Sequence, residues 1–194
     1  MKFVDVCLTH QELENSYCKN KIVVIIDVLR ASSTINTLLY NKVKYVKPIE
    51  KLEECKKLKN HGYIIMAERL GKKVDGFDFG NSPTKINSKE FNGKKVALAT
   101  SNGTKAILKT KSSKISLIGS FLNLDIIIDY INKENSDVLL LCSGWKGSVN
   151  LEDTLCAGAI ISGLKNFQFN SDTVLMAKKL YESSKDNTLE TMMK

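Results

Sequence analysis

The chain has 194 residues, of which 43% are hydrophobic and 26% charged, a composition typical of a soluble globular protein that buries a core without disulfides. It contains no run of about 18 apolar residues, and its first ten residues alternate between apolar and polar, so we expect neither a membrane span nor a signal peptide. The net charge of +8 comes from lysines scattered over the whole chain, which favours a solvated surface over the alternative of a nucleic-acid interface.

The spacing of apolar residues predicts strands and helices that alternate along the chain. The predicted strands are residues 2–8, 21–28, 43–49, 63–67, 94–100, 114–120 and 137–143. The predicted helices are residues 32–42, 50–60, 103–110, a segment near 122–134, 151–164 and 173–185. Several strands are continuous apolar runs, which indicates burial on both faces. We therefore predict a single α/β domain over residues 1–194, with three α/β/α layers and a mostly parallel or mixed central sheet.

Chemically active side chains follow four of the buried strands. The segments are VLRASST at 28–34, ERLGKKVDGFDFGNSP at 68–83, SNGTKA at 101–106 and GWKGSVNLED at 144–153. In parallel α/β sheets, ligands bind beyond the carboxyl ends of the strands. The sequence therefore predicts one site that is assembled from four loops.

Two of these loops lead into predicted helices and carry short hydrogen-bonding side chains. Ser101, Asn102 and Thr104 lie at the start of one helix, where free N–H groups and the helix dipole favour an anion. The other loop joins Asp27 and Arg30 to three hydroxyl residues, a combination that suits a phosphate and a divalent metal ion. Simple helix capping is the alternative interpretation for the loop with Ser101, Asn102 and Thr104.

Arginine occurs at only two positions, although the chain has 29 basic residues. Arg30 lies in the first of the four loops and Arg69 in the second. The guanidinium group offers a rigid fork that binds a carboxylate or a phosphate with two hydrogen bonds, which lysine does not. We predict that both arginines bind anions, with a structural ion pair as the alternative at each site.

The fourth loop contains two acids and the chain's one tryptophan. Glu152 and Asp153 lie near a predicted helix start, where they would either stabilise the helix dipole or serve as metal ligands or as a general acid or base. Trp145 would either cover a ligand or pack in the core.

The sequence argues against several familiar chemistries. The five cysteines form no C-x-x-C pair and lie far from the two histidines, which predicts reduced thiols in a cytoplasm and argues against structural zinc. The chain has neither a P-loop nor a dinucleotide-binding fingerprint. Cys142 lacks an arginine six residues later, and Asp27 lacks a second aspartate two residues later, so two known phosphatase mechanisms are not supported.

Four motifs occur in the order found in one enzyme family: DVLRASSTI, an ER pair followed by GFDFGNSP, ATSNGTKA, and CSGWKGSVNLEDTLCAG. Over about residues 1–165 the chain resembles the 2-phosphosulfolactate phosphatases. The resemblance implies an α/β/α fold and a Mg²⁺-dependent phosphatase that converts (2R)-2-phospho-3-sulfolactate to 3-sulfolactate and phosphate, a step in coenzyme M biosynthesis. Related 2-hydroxy acid phosphate monoesters are the second choice of substrate. Family members usually continue further, so residues 166–194 are expected to be an atypical, shortened tail.

The residues and the resemblance together imply a set of site residues. Asp27, Arg30, Glu68 and Asp78 are predicted to be catalytic, and Asp27, Glu152 and Asp153 to bind Mg²⁺. The predicted substrate contacts are Ser32, Thr34, Arg69, Asn81, Ser82, Ser101, Asn102, Gly103, Thr104, Ser143 and Gly144. We expect a small anionic substrate, no nucleic-acid or membrane partner, and leave self-association into a homo-oligomer open. The alternative function is a degenerate binding protein for a phosphorylated or sulfonated acid.

Overall fold

The computed structural model describes residues 1–69, 71–100, 102–169 and 171–192. Over these ranges strands and helices alternate, which confirms the predicted α/β class. The strands are β1 (Lys2–Cys7), β2 (Ile22–Ile26), β3 (Tyr45–Ile49), β4 (Tyr63–Arg69), β5 (Lys72–Lys73), β6 (Lys95–Ala99), β7 (Ile115–Gly119), β8 (Val138–Cys142) and β9 (Phe167–Gln168). The helices are α1 (Ala31–Tyr40), α2 (Leu52–Lys57), α3 (Ser88–Phe91), α4 (Gly103–Lys109), α5 (Leu124–Lys133), α6 (Leu151–Gly163), α7 (Asp172–Ser184) and α8 (Thr188–Met192). Every predicted strand and helix is present, within a few residues of its expected ends.

The larger sheet has five strands in the order β7-β2-β8-β1-β9, and all neighbouring strands are parallel. Every residue of β2 and of β8 is buried, as their continuous apolar runs predict. Ile26 pairs with Cys142, so the loops that follow these two strands leave the sheet side by side. The loop that begins at Asp27 therefore lies next to the one that begins at Ser143.

The smaller sheet has the order β3-β6-β4-β5, in which the first three strands are parallel and β5 is antiparallel to β4. This division into two sheets was not predicted, because an apolar run shows that a strand is buried but not which strand it pairs with. Ala99 at the end of β6 pairs with Ala67 of β4, so the loops after these strands also leave together.

Helices cover both faces of the larger sheet, which gives the predicted α/β/α layers. α5, α6 and α7 pack on one face, and α1 and α4 pack on the other, where they also contact β3 of the smaller sheet. Alternate residues of β2 serve the two faces: Val24 and Ile26 belong to one core cluster with α6, while Val23 and Ile25 belong to another with α4. α2 packs on the smaller sheet.

The residues after α6 contribute to the core. α7 packs closely along α6, and a Cβ atom on Gly158 would lie only 2.1 Å from the carbonyl oxygen of Ala177, so this crossing requires glycine. Val174 of α7 is fully buried. α8 has no buried residue, in agreement with the absence of a core pattern at its end of the sequence. None of the described helices combines the length and apolar character needed to cross a membrane.

Candidate active site

A small cavity lies where the loops after β2, β4, β6 and β8 meet. Its volume is about 170 Å³, and we call it the polar cavity. It is lined by Asp27, Leu29, Arg30, Ala31, Glu68, Asn81, Ala99, Thr100, Asn102, Gly144, Trp145 and Asn150. All four predicted loops contribute to this lining, so the four segments do meet at one cavity, as the sequence predicts.

Asp27 is the acid of the polar cavity. It directly follows β2, and its carboxylate accepts a hydrogen bond from the backbone N–H of Ala31 at 3.1 Å. Burial raises the pKa of Asp27 to about 6, although nearby backbone N–H groups, including that of Gly103, oppose the shift. A Cβ atom on Gly103 would lie 2.9 Å from Oδ2 of Asp27 and 2.6 Å from Cβ of Ala31. Glycine at the start of α4 is therefore what allows the backbone to approach this acid.

Arg30 and Glu68 form an ion pair that joins the first loop to the second, through Nη2 and Oε1. The other carboxylate oxygen of Glu68 accepts a hydrogen bond from the backbone N–H of Asn81 at 3.3 Å. Both side chains of the pair are partly buried and both line the polar cavity. Arg30 therefore forms the structural ion pair that was the alternative prediction. Its place in the cavity lining also leaves it in position to contact a bound anion.

Two asparagines complete the donor-rich wall. Asn102 donates from Nδ2 to the carbonyl oxygen of Gly144 at 3.0 Å, which fixes the third loop against the fourth. Asn81 is buried, and its Oδ1 has no hydrogen-bond partner among the described residues. A buried amide oxygen without a partner beside a polar cavity is a group that a ligand or water would satisfy.

Asp153 has a positioning role rather than a place in the cavity lining. Its carboxylate accepts hydrogen bonds from the backbone N–H groups of Val28 at 2.8 Å and Gly144 at 3.3 Å. Burial, and secondly the charge of Asp27, raise the pKa of Asp153 well above its ordinary value. Asp153 therefore ties the loop after β2 to the loop after β8. Glu152 is partly exposed and lies outside the lining, but its charge acts on both aspartates.

The donor set is compatible with Mg²⁺. In the part of the chain that the structure describes, no three His, Cys, Asp or Glu side chains converge as a metal cluster. Mg²⁺ does not require such a cluster, since it commonly binds one or two carboxylates together with waters and substrate phosphate. Of the three predicted ligands, Asp27 lines the cavity, and the mutual repulsion of Asp27, Glu152 and Asp153 is what a bound cation would relieve.

Three of the predicted contact residues shape the loops instead of lining the cavity. Ser32 donates from Oγ to the backbone oxygen of Asp27 at 2.8 Å, and Thr34 donates from Oγ1 to the backbone oxygen of Asn81 at 3.0 Å. The backbone N–H of Thr104 donates to Oγ1 of the neighbouring strand-end threonine at 3.0 Å. These hydroxyl and amide contacts hold the first, second and third loops in place around Asp27.

The remaining predicted contacts are distributed differently. Gly144 lines the polar cavity, while Ser143 is fully buried and its Oγ has no partner among the described residues. Ser82 lines a larger neighbouring cavity. Ser101 lies outside the described residues. Arg69 is exposed at the end of β4 and is not part of the polar-cavity lining.

Asp78 is not brought together with Asp27. Its carboxylate accepts a hydrogen bond from the backbone N–H of Ile65 at 3.0 Å and pairs with Nζ of Lys59 at 2.6 Å. The structure therefore gives Asp78 a role in anchoring the GFDFGNSP loop to β4. Glu68, near the end of β4, and Asn81, within the loop, are the residues of the 68–83 segment that line the polar cavity.

The Asp78→Asn variant is expected to lower the free energy of unfolding by about 0.5–1.5 kcal/mol, because a charge-assisted hydrogen bond and an ion pair are weakened. The rate of phosphate release per folded molecule should be unchanged. Chemical denaturation and steady-state kinetics measure the two quantities, with the exposed Asp75→Asn in the same loop as control. Loss of activity at unchanged stability would return Asp78 to a catalytic role.

Six lining residues were not predicted as site residues, or only as one of two alternatives; three of them, Leu29, Ala31 and Ala99, are aliphatic, and the other three carry polar or aromatic side chains. Thr100 ends the buried run of β6, so its hydroxyl at a strand end was an available signal. Asn150 precedes α6, and nothing in its sequence context distinguishes it from an ordinary cap. Trp145 is 58% exposed and lines the cavity, which favours a role in covering a ligand over core packing.

Comparison with known proteins places this chain in a family. A family model described as 2-phosphosulpholactate phosphatase matches residues 7–194, which includes the segment after residue 165. Three bacterial relatives carry the name "Probable 2-phosphosulfolactate phosphatase". The Thermotoga petrophila protein is 41% identical over 88% of this chain and 74% of its own. The Caldanaerobacter subterraneus protein is 34% identical over 99% and 82%, and a Clostridium perfringens protein is 38% identical over 93% and 76%.

Proposed function

The chain belongs to the 2-phosphosulfolactate phosphatase family, and from this premise we propose that it is a phosphoric monoester hydrolase that converts (2R)-2-phospho-3-sulfolactate to 3-sulfolactate and phosphate. The observation that supports the proposal most strongly is the polar cavity at the strand ends. It holds an acid, an arginine and amide donors in the loops that carry the family's four motifs.

Binding of the phosphate is assigned to Arg30 and to the amide side chain of Asn102. Arg30 would direct its guanidinium towards the phosphate while Glu68 fixes the orientation of the group. Phosphoryl transfer from a monoester passes through a loose transition state, so alignment and charge neutralisation contribute more than covalent chemistry. The residues on the cavity wall therefore act mainly by positioning the ester and neutralising the charge on its oxygens.

Mg²⁺ is the proposed cofactor, and Asp27 is the residue that would hold it. The negative charge of Glu152 acts on Asp27 and would strengthen the electrostatic attraction for the cation. When bound, the ion would neutralise phosphate charge and polarise the ester. Asp153 would hold the backbone of the two loops on either side of Asp27, through its hydrogen bonds with Val28 and Gly144. Trp145 would limit the access of bulk water from the fourth loop.

We also propose that related 2-hydroxy acid phosphate monoesters are secondary substrates, that the activity serves coenzyme M biosynthesis, and that the enzyme works in the cytoplasm. All five cysteines are free thiols, which supports a reducing compartment. No observation favours the alternative of a degenerate binding protein, since the cavity retains its acid, its arginine and its donors.

The test is a comparison of two substrates. Purified protein with Mg²⁺ should release phosphate from phosphosulfolactate with a much higher kcat/KM than from 4-nitrophenyl phosphate, an ester without acid groups next to the phosphate. Equal kcat/KM values for the two esters would indicate a nonspecific phosphatase. Tight binding of phosphosulfolactate without any phosphate release would favour the binding protein.

Mg²⁺ is expected to stabilise the protein in the absence of substrate. A concentration of about 100 times the dissociation constant contributes about 2.7 kcal/mol, and each kcal/mol raises Tm by about 2–4 °C in a protein of this size. Differential scanning fluorimetry of EDTA-treated protein measures the shift, and the Asp27→Asn variant is the control that should not respond. Full activity in excess EDTA, together with an unchanged Tm on Mg²⁺ addition, would exclude the metal.

A further inference from the structure

A second, larger cavity shares a wall with the polar cavity. It has a volume of about 690 Å³, and we call it the outer cavity. Arg30 and Glu68 line both cavities, so their ion pair is the common boundary. The rest of the outer cavity is formed by the segment from β5 to α3, and its lining includes Lys73, Ser82 and Lys85.

Three cations and three acids line the outer cavity, and they differ in their partners. Glu68 is paired with Arg30, Asp78 is paired with Lys59, and Glu90 accepts a hydrogen bond from Nδ2 of Asn87 at 2.6 Å. Lys73 already donates from Nζ to the carbonyl oxygen of Phe77 at 3.1 Å. The ammonium group of Lys85 is exposed and has no ion-pair partner among the described residues.

Two hydroxyl residues line the same cavity as Lys85. Ser82 and Thr84 both line the outer cavity, and their hydroxyl oxygens lie 3.0 Å apart in a mutual hydrogen bond. Their segment is held in a turn in which the backbone N–H of Lys85 donates to the oxygen of Ser82 at 3.2 Å. A cation and a hydroxyl pair that keeps one O–H free to donate, on one short turn, suit a tetrahedral oxyanion.

The size of the polar cavity also indicates that the substrate extends into the outer cavity. At about 170 Å³ it is smaller than the roughly 300 Å³ at which small-molecule sites usually begin. A substrate with phosphate, carboxylate and sulfonate on three carbons would fill it with the phosphate end alone. The outer cavity is the space that continues past the Arg30–Glu68 pair.

We propose that the outer cavity receives the acid group remote from the phosphate, the sulfonate in phosphosulfolactate, and that Lys85 with Ser82 and Thr84 determines specificity for it. This inference rests on the proposed function. It gives the two cavities different roles. The polar cavity binds the phosphate and is where the ester is hydrolysed, while Lys85 favours the binding of substrates that carry a second strong anion. The Arg30–Glu68 pair lies between the two.

The test uses two esters that differ only in the sulfonate: phosphosulfolactate and 2-phospholactate. Lys85→Met should raise KM for phosphosulfolactate by about 3- to 10-fold, the range between an exposed ion pair and a charge-assisted hydrogen bond. Its kcat for phosphosulfolactate, and both constants for 2-phospholactate, should be unchanged. Lys85→Arg should restore most of the affinity, and Lys89→Met, an exposed lysine on α3 outside the cavity lining, should have no effect.

An equal loss for both esters, or no loss for either, would overturn the assignment of Lys85. Calorimetric binding of the products 3-sulfolactate and lactate to wild type and Lys85→Met gives a second readout that requires no turnover. Weaker binding of sulfolactate by Lys85→Met supports the proposal even if the wild type releases no phosphate, a result that would count against the proposed function only. Equal binding of sulfolactate by the two proteins would contradict the proposal whatever the activity.

Discussion

Replacement of Asp27 by asparagine is expected to lower kcat/KM by about 100- to 10,000-fold, the range seen when a group at the reacting centre is lost. The amide keeps an oxygen that accepts the N–H of Ala31, so the loop geometry should survive. It loses the charge that would hold the cation. Phosphate release from phosphosulfolactate in saturating Mg²⁺ measures the effect.

The same variant should be at least as stable as the wild type in EDTA. Burial raises the pKa of Asp27 to about 6 from an ordinary 3.8, so the folded state favours the neutral form. The resulting destabilisation is absent below pH 3.8, develops as the pH rises through the folded-state pKa, and is complete above it. The Asp27→Asn variant does not carry this destabilisation, and its advantage in Tm should be larger at pH 7.5 than at pH 5. Asp75→Asn, at an exposed loop position, is the matched control and should change neither rate nor stability. A fully active Asp27→Asn enzyme would remove Asp27 from the mechanism.

Replacement of Arg30 by lysine is expected to reduce kcat/KM by about 10- to 150-fold, because losing one charge-assisted hydrogen bond costs about 1.5–3 kcal/mol. Lysine keeps the charge but not the planar fork that would contact Glu68 and the phosphate together. The inhibition constant of inorganic phosphate should rise in parallel, since the lost contact is with the phosphate itself. Steady-state kinetics with phosphate as product inhibitor measure both.

Arg69→Lys is the control for Arg30→Lys. Arg69 is the other arginine of the sequence, but it lies at the end of β4, outside the polar-cavity lining. Its replacement should leave kcat/KM and phosphate inhibition close to wild type. If instead Arg30→Lys had wild-type kinetics with an intact fold by circular dichroism, Arg30 would be only the partner of Glu68.

Much of the site was predictable because it depends on order along the chain. A parallel strand carries the residues that follow it to the carboxyl edge of the sheet, so Asp27, Thr100 and Gly144 had to appear at that edge once the strands were recognised. The loops from Arg30 and Asn102 follow in the same way. This reasoning needs only local patterns, and the cavity lining agrees with it.

The role of each acid was less predictable, because it depends on which backbone groups a side chain meets in three dimensions. Asp153 and Asp78 resemble active-site acids in sequence, yet each accepts backbone N–H groups from a distant segment, Val28 and Ile65 respectively. The division into two sheets is of the same kind, since strand pairing is a long-range choice. The outer cavity around Lys85 likewise follows from the course of a loop that has no periodic pattern.

Phosphorus NMR of phosphosulfolactate incubated with the wild-type protein and Mg²⁺ tests the central claim most directly. The polar cavity around Asp27 and Arg30 is predicted to convert the ester resonance to that of inorganic phosphate, one for one, while an equal amount of Asp27→Asn protein, prepared in the same way, leaves the ester essentially intact. An unchanged ester resonance with the wild type, or equal conversion by the two proteins, would contradict the account.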